Sequence, residues 1–487
     1  MLRVVTLRGQ IMMQIRLGES LQNRRFVSQF RGAAAAVILC VLAYGGAAFN
    51  AVAEPSVYPT GVTRYDPAKA YNGYVLFSAA DKITRLIDLN GNVVHEWKYA
   101  GFPSEFLDPK LTGGARGHVL VALASVDGTG TGLVPGRASF EVITTIGEVD
   151  WDGKAVWQWG TDKAPGGAAQ QHHDWRRLPN GNTVILANLL HPVPGFAQPQ
   201  ALDDVAYEIG PDGAIVWQWI ASEHLDEFGF TPSELNLVRN ASSADYFHAN
   251  DLSVLGPNRW FAAGDKRFDP DNILIDFRNA NFIIIVDKKT GKVVWSLGPH
   301  YPALVTQGRK QPPRPVDQIS GQHDAHLIPE GLPGAGNLLV FDNQGEGGFP
   351  PVPLSVTGGS RVLEIDPVKQ EIVWQYDGES SGRPGWTFLS SFISSARRLP
   401  NGNTLIDEGY NGRFFQVTPQ GEIVWEYVSP YFGPLFGNVP GVGPGIPSNW
   451  VYRAQPVPYE WAPAGTARSE KAVIPPPLAE FRLPAAQ

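Results

Sequence analysis

The chain has 487 residues with 53 glycines and 41 prolines, too many turn formers for a helical bundle, and 14 Trp, 15 Tyr and 24 Phe exclude disorder over most of its length. Its single cysteine is Cys40, which rules out disulfide, zinc-thiolate and iron–sulfur chemistry in everything that follows. The formal net charge is −8, and an acidic chain is a poor nucleic-acid binder.

At the N-terminus, Arg3, Arg8, Arg16, Arg24, Arg25 and Arg31 precede an apolar run from Gly32 to Phe49, and Ala51-Val52-Ala53 supplies the small-x-small pattern of a cleavage site. Residues 1–53 are therefore expected to be a cleavable export signal, with no stable membrane insertion afterwards. The route of export stays open, as does a start at Met12 or Met13. Removing six arginines and Glu19 from 39 basic and 47 acidic residues leaves 33 and 46, a net of −13 for the body.

After a lead-in segment, 54–71, one short pattern returns six times. A turn with Asp or Gly, then apolar, apolar, aromatic, polar, aromatic, occupies 90–97, 152–159, 212–219, 290–297, 369–376 and 420–427. Each reads as the turn and last strand of a hairpin, because the alternation has period two and an Asn-Gly or Asp-Gly step suits a tight turn. A strand ending in Asp or an equivalent precedes most copies, and a further hairpin on Leu-Pro-Asn-Gly-Asn lies ahead of that at 178–182 and 399–403. Four strands per unit and six units predict an all-β fold, a six-bladed β-propeller with four-stranded blades over 72–462. An Ala/Pro-rich tail, 463–487, is expected to be loosely held.

The repeat register also selects a ring of residues. Five residues before Leu178, Leu255, Ile328 and Leu399 stand His173, Asn250, His323 and Ser394, followed by Asp174, Asp251, Asp324 and Ser395. His248, two before Asn250, shares its face on a strand. Six residues on from Asn182, Asn272 and Asn337 come Asn188, Arg278 and Asn343. An arginine beside imidazoles and amides at the mouth of a propeller channel makes an electropositive pocket suited to a small oxyanion. His172, His326 and Asp324 are expected just behind this ring, and His95, His118, His191, His224 and His300 are read as structural. The glycine-rich stretch 127–132 lacks the Lys-Ser/Thr of a phosphate loop and reads as a mobile loop. Asp265, Asp269, Asp271 and Asn272 leave a calcium site or a solvated loop open.

Gln171-His172-His173-Asp174, Phe247-His248-Ala249-Asn250, the run from Asn258 through Arg278 to Asn281, Gln322-His323-Asp324 and Phe341-Asp342-Asn343 together resemble the bacterial arylsulfate sulfotransferases. The resemblance spans about Gly73 to Trp461. It implies an exported, periplasmic propeller enzyme that moves a sulfuryl group from an aryl sulfate ester to a phenol by a ping-pong route through a sulfated histidine. Position by position, it places the nucleophile on His323 and the sulfuryl-binding and acid/base groups on His173, His248, Asn250 and Arg278. Asn343 and Asn188 are expected to contact substrate. No cofactor or metal is implied. Better-known members carry a disulfide, which this chain cannot form after residue 53. Association into a homo-oligomer is left open. The alternative is a non-catalytic propeller that binds sulfate esters or other anions; a quinone- or calcium-dependent propeller enzyme is a third reading.

Overall fold

The structure, a computed structural model, describes residues 5–7, 10–12, 59–125, 143–160, 162–302, 311–349, 351–353, 358–434, 438–439, 443–444 and 447–475. Most of the expected export signal, the stretch 127–132 and residues 476–487 lie outside the described residues. Met1–Val52 and Ala53–Gln487 are two separate compact units. Within the first, Val5–Leu7 pairs antiparallel with Gln10–Met12. No helix among the described residues is long and apolar enough to cross a membrane.

The second unit is an all-β propeller built from antiparallel four-strand meanders. Four blades stand as separate sheets, rather than the six expected. One joins Val451–Val457 to Tyr74–Ala79, Thr84–Asp88 and Val93–Trp97; the others span 249–297, 323–376 and 395–428. The remaining meanders, 100–159 and 171–220, form one eight-stranded sheet. They are fused by a single pairing, Gln171 with Ile143, where the strand Gln171–Arg177 begins ahead of its bulge and reaches the edge of its predecessor.

Two segments at the chain ends differ from expectation. Gly61–Tyr65, read as part of a lead-in, pairs with Ile423–Val428 on the outer edge of the last blade. Val451–Val457 becomes the innermost strand of the first blade by pairing with Tyr74–Ala79. The beginning of the expected loose tail is docked as well: Val473 exchanges both backbone hydrogen bonds with Tyr65, and Lys471 N–H donates to Asn90 Oδ1.

Strand composition follows blade packing. A middle strand such as Phe282–Val286 is buried at every position because neighbouring blades cover both its faces, so it reads as a continuous apolar run. The outer strand Ala155–Trp159 alternates instead, with Val156 49% exposed and Trp159 2% exposed.

The repeated tryptophans join each meander to the next. Indole N–H groups donate from Trp97 to Asp150 O, Trp159 to Gly213 O, Trp219 to Gly291 O, Trp295 to Pro367 O, Trp374 to Pro419 O and Trp425 to Leu89 O. The last of these returns to the first meander, so the circuit closes. The buried bonds, those of Trp159, Trp295 and Trp425, satisfy a turn carbonyl and an indole that would otherwise be desolvated without a partner.

Candidate active site

The opening strands Ala100–Phe106, Gln171–Arg177, Ala249–Val254, His323–Leu327, Ser395–Arg398 and Val451–Val457 contact one another in succession and return to the start. His173, Asn250, His323 and Ser394 sit at or near the leading ends of four of these strands. Three of the strands bulge there, with register shifts between Gln171 and Trp175, Ala249 and Asp251, and His323 and His326. His173, His248, Asp324, Ile393 and Ser394 adopt φ of 60°, 55°, 60°, 54° and 98°. Left-handed backbone costs a residue with a Cβ about 1–3 kcal/mol and persists where surrounding contacts over-determine it.

His323 is buried, and its partners define its protonation. Nδ1 lies 2.9 Å from Gly321 O and 2.7 Å from Asn343 Oδ1, both acceptors, so Nδ1 carries the hydrogen. The Asn343 amide cannot be reversed, because its Nδ2 donates to Ser390 O and Ile393 O at 2.7 and 2.8 Å. Nε2 accepts the Ile393 backbone N–H at 3.0 Å. Burial and then the Arg278 charge hold the imidazole well below its usual pKa, with His248 adding to the effect. His323 is thus neutral, with its lone pair on Nε2.

His173 and His248 stand edge to face at 4.6 Å between centroids. His248 Nδ1 lies 2.6 Å from Asp245 Oδ2, which assigns the hydrogen to Nδ1. His173 Nδ1 meets His172 Nδ1 at 2.7 Å, one donating to the other, and His172 Nε2 lies 3.7 Å from Asp204 Oδ1. Arg278 follows the strand Ile273–Phe277; its backbone N–H donates to His248 O, and its Nη1 donates to Asn279 Oδ1 at 2.9 Å. His173, His248, His323 and Arg278 are therefore brought together. Tyr452 joins them, its ring 5.6 Å from His173 and 6.3 Å from His323, with its hydroxyl donating to Asn250 O.

Other expected site residues are placed differently. Asn343 was expected on substrate, but its amide is spent on His323 and on the 390–393 turn, so it positions the imidazole. Asn188 turns to Asp204, behind His172, at 3.3 Å. Asn250 commits one amide hydrogen to Gln322 O at 2.8 Å, while its Oδ1 is buried without a protein partner. His326 lies on the far side of Asp324, bonded to the Asp324 carbonyl, with Arg397 and Arg176 as neighbouring charges. Asp324 faces Arg453 and Arg397 rather than the ring. In 264–272, Asp265 is paired with Arg267 and Asp269 with Lys289, so these carboxylates are already neutralised by protein cations. Among the described residues no group of His, Cys, Asp and Glu is arranged to hold a metal ion.

Sequence reasoning passed over Tyr452, Arg453 and Asp245. A signal existed for Arg453: three repeat-equivalent aspartates at one buried level need a shared cation.

A neutral imidazole beside an arginine at the leading ends of the opening strands can hold an anion. Residues 69–428 match the Arylsulfotransferase (ASST) family, and the chain belongs to it. Membership supports aryl sulfotransferase activity in general terms. No curated protein matches the chain. Among solved structures it is similar to a protein of unknown function from Bacteroides caccae, at 11% identity and TM-score 0.43 over 80% of this chain and 99% of that one. It is also similar to the Dos1 propeller, at 9% identity and TM-score 0.33 over 78% and 75% of the two chains. A third is virginiamycin B lyase from Staphylococcus aureus, at 12% identity and TM-score 0.34 over 78% and 87%. Likenesses this low carry no argument about function.

Proposed function

We propose that this protein transfers a sulfuryl group from an aryl sulfate ester to a phenolic acceptor, without a nucleotide donor, through a sulfated His323. The observation that carries the reading is the neutral Nδ1–H tautomer of a buried His323, which leaves the lone pair on Nε2, with the Arg278 and His248 charges close enough to hold the ring neutral. An imidazole kept neutral by burial is a nucleophile over the whole neutral range.

In the first half-reaction, Nε2 forms a bond to sulfur as the sulfur–aryloxide bond breaks, and the aryloxide takes a proton from the imidazolium form of His248, which keeps its Nδ1 hydrogen on Asp245, or from that of His173. The transition state is loose, with charge on three equatorial oxygens and the leaving oxygen, and Arg278 lies where it can balance that charge. The Nδ1–H···Asn343 bond strengthens as the ring becomes cationic. In the second half-reaction, the acceptor phenol gives its proton to the same imidazole, its oxygen attacks sulfur, and the nitrogen–sulfur bond breaks. Because Nε2 now accepts the Ile393 N–H, attack requires the 390–394 turn to release it.

The six opening strands and the closed tryptophan circuit support reading the fold as six blades around one channel. The Arg-rich start, apolar run and Ala51-Val52-Ala53 site support export to the periplasm. The test is release of 4-nitrophenol from its sulfate ester by purified protein. Turnover that depends on an added phenol supports transfer; tight donor binding without turnover would favour a binding propeller.

A further inference from the structure

Three aspartates converge on one guanidinium at the level just below the histidines. Arg453 Nη1 donates to Asp174 Oδ1 at 2.9 Å and Nη2 to Asp251 Oδ1 at 2.8 Å, while Nε forms an ion pair with Asp324 Oδ1 at 3.0 Å without hydrogen-bond alignment. The arginine side chain is 4% exposed and all three carboxylates are fully buried. In the chain these aspartates directly follow His173, Asn250 and His323.

We propose that Arg453 is a positioning residue for the transfer, a clamp on the three bulges that present His173, Asn250 and His323 to one another. This rests on the reading of His323 as nucleophile. The carboxylates do more than neutralise the cation. Asp174 accepts the backbone N–H of Trp175 in its own strand and of Leu252 in the next, at 2.8 and 3.2 Å. Asp324 does the equivalent between the fourth and fifth opening strands, accepting Ala396 N–H at 3.0 Å. These two carboxylates therefore tie their bulges to the following opening strand, and Arg453 ties all three bulges to one another. His173 and Asp324 take left-handed φ of 60° at the bulges that break the period-two alternation of their strands. A guanidinium spreads its donors over a fixed planar fork, whereas a lysine ammonium offers its three from one nitrogen and does not reproduce that spacing.

Arg453 lies on Val451–Val457, beyond the 69–428 span that defines the family match. The preceding residue, Tyr452, packs on His173 and bonds to Asn250 O. The strand that closes the propeller thus also sets the geometry of the ring. A buried ion network that served stability alone would predict loss of folding in proportion to loss of activity.

The experiment compares full-length wild type with Arg453→Lys and with Asp174→Asn, the isosteric and milder change, at a temperature where circular dichroism shows each to be native. Single-turnover release of 4-nitrophenol should fall about 10²-fold in Arg453→Lys, since small misplacements of reacting groups carry that cost. Donor KM should move less than about twofold, because Arg278 is untouched. Asp174→Asn should show a smaller loss in the same direction, and it decides the matter if Arg453→Lys does not fold. The 15N signals of the imidazoles should change in both variants. A native variant with the wild-type burst rate, or rates that only follow melting temperature, would overturn the clamp. Should wild type itself show no burst, the sulfotransfer reading fails separately, and unchanged imidazole signals would then overturn the clamp.

Discussion

His323 Nδ1 lies 2.7 Å from the Asn343 side-chain oxygen, and Asn343 is in turn held by two backbone carbonyls of the 390–393 turn. This pair, with Gly321 O, selects the imidazole tautomer, and the lone pair on Nε2 follows from it. Asn343→Leu keeps the volume and removes the side-chain acceptor, leaving Gly321 O alone to hold the Nδ1 hydrogen, so the ring is less firmly held and can reverse. Single-turnover rate should fall about 10²-fold or more with donor affinity little changed, by analogy with other imidazoles held in the wrong tautomer. Stopped-flow release of 4-nitrophenol checks it, and a rate within twofold of wild type would contradict the role given to Asn343.

Arg278→Ala should damage the enzyme more than Arg278→Lys, which keeps the charge but loses the two-pronged donor set. Both donor affinity and turnover should fall, because the sulfuryl oxygens carry charge before and during transfer. A second effect has a definite sign. The Arg278 charge helps hold His323 below the usual imidazole pKa of 6.5, so its removal should move the acid limb of the burst rate to higher pH. A limb unchanged or moved to lower pH would separate Arg278 from His323.

Glu105 supplies a pH test of stability. Burial raises its carboxyl to about 7 from 4.5, despite Arg176 and Arg397 nearby. A carboxyl raised on folding contributes stability that is complete below the unfolded value and is lost as pH rises through the folded one. Wild type should therefore lose about 2–3 kcal/mol between pH 4.5 and 8 on account of this group. Glu105→Gln should flatten that part of the profile in urea melts, and an unaltered slope would contradict it.

Trp425→Phe keeps most of the buried ring but leaves Leu89 O without the indole bond that closes the propeller. A buried carbonyl left unsatisfied costs about 1–3 kcal/mol. The solvent-exposed bond of Trp374 to Pro419 O should cost less when Trp374 is changed to Phe. Denaturant midpoints for the two variants check the order, while single-turnover rates should match wild type.

Much of the fold was legible because the apolar-aromatic pattern repeats and each copy forms the fourth strand of its meander. The ring was legible for the same reason: equivalent positions in a repeat lie at equivalent heights, which brought His173 and His323 to one level and His248 beside them. What escaped detection depends on contacts between the chain ends. Nothing local marks Val451–Val457 as the first blade's inner strand, since its partner Tyr74–Ala79 lies at the other end of the chain. The bulges were equally hidden, because strict period-two counting assumes an unbroken strand, and register shifts redirect side chains. Asn343 and Asn188, placed by counting, turn to His323 and Asp204.

The most direct measurement is a half-reaction with donor alone, followed by peptide mapping. About one phenol per enzyme should appear in a burst, leaving an acid-labile sulfated residue on the peptide containing Gln322-His323-Asp324 that decays when a phenol is added. His323→Asn should abolish both burst and adduct, with the fold intact because asparagine already occupies the equivalent position at Asn250. His173→Asn or His248→Asn should slow the burst and leave the adduct on His323. An adduct on His173 or His248, or transfer by single displacement with no adduct at all, would contradict the account.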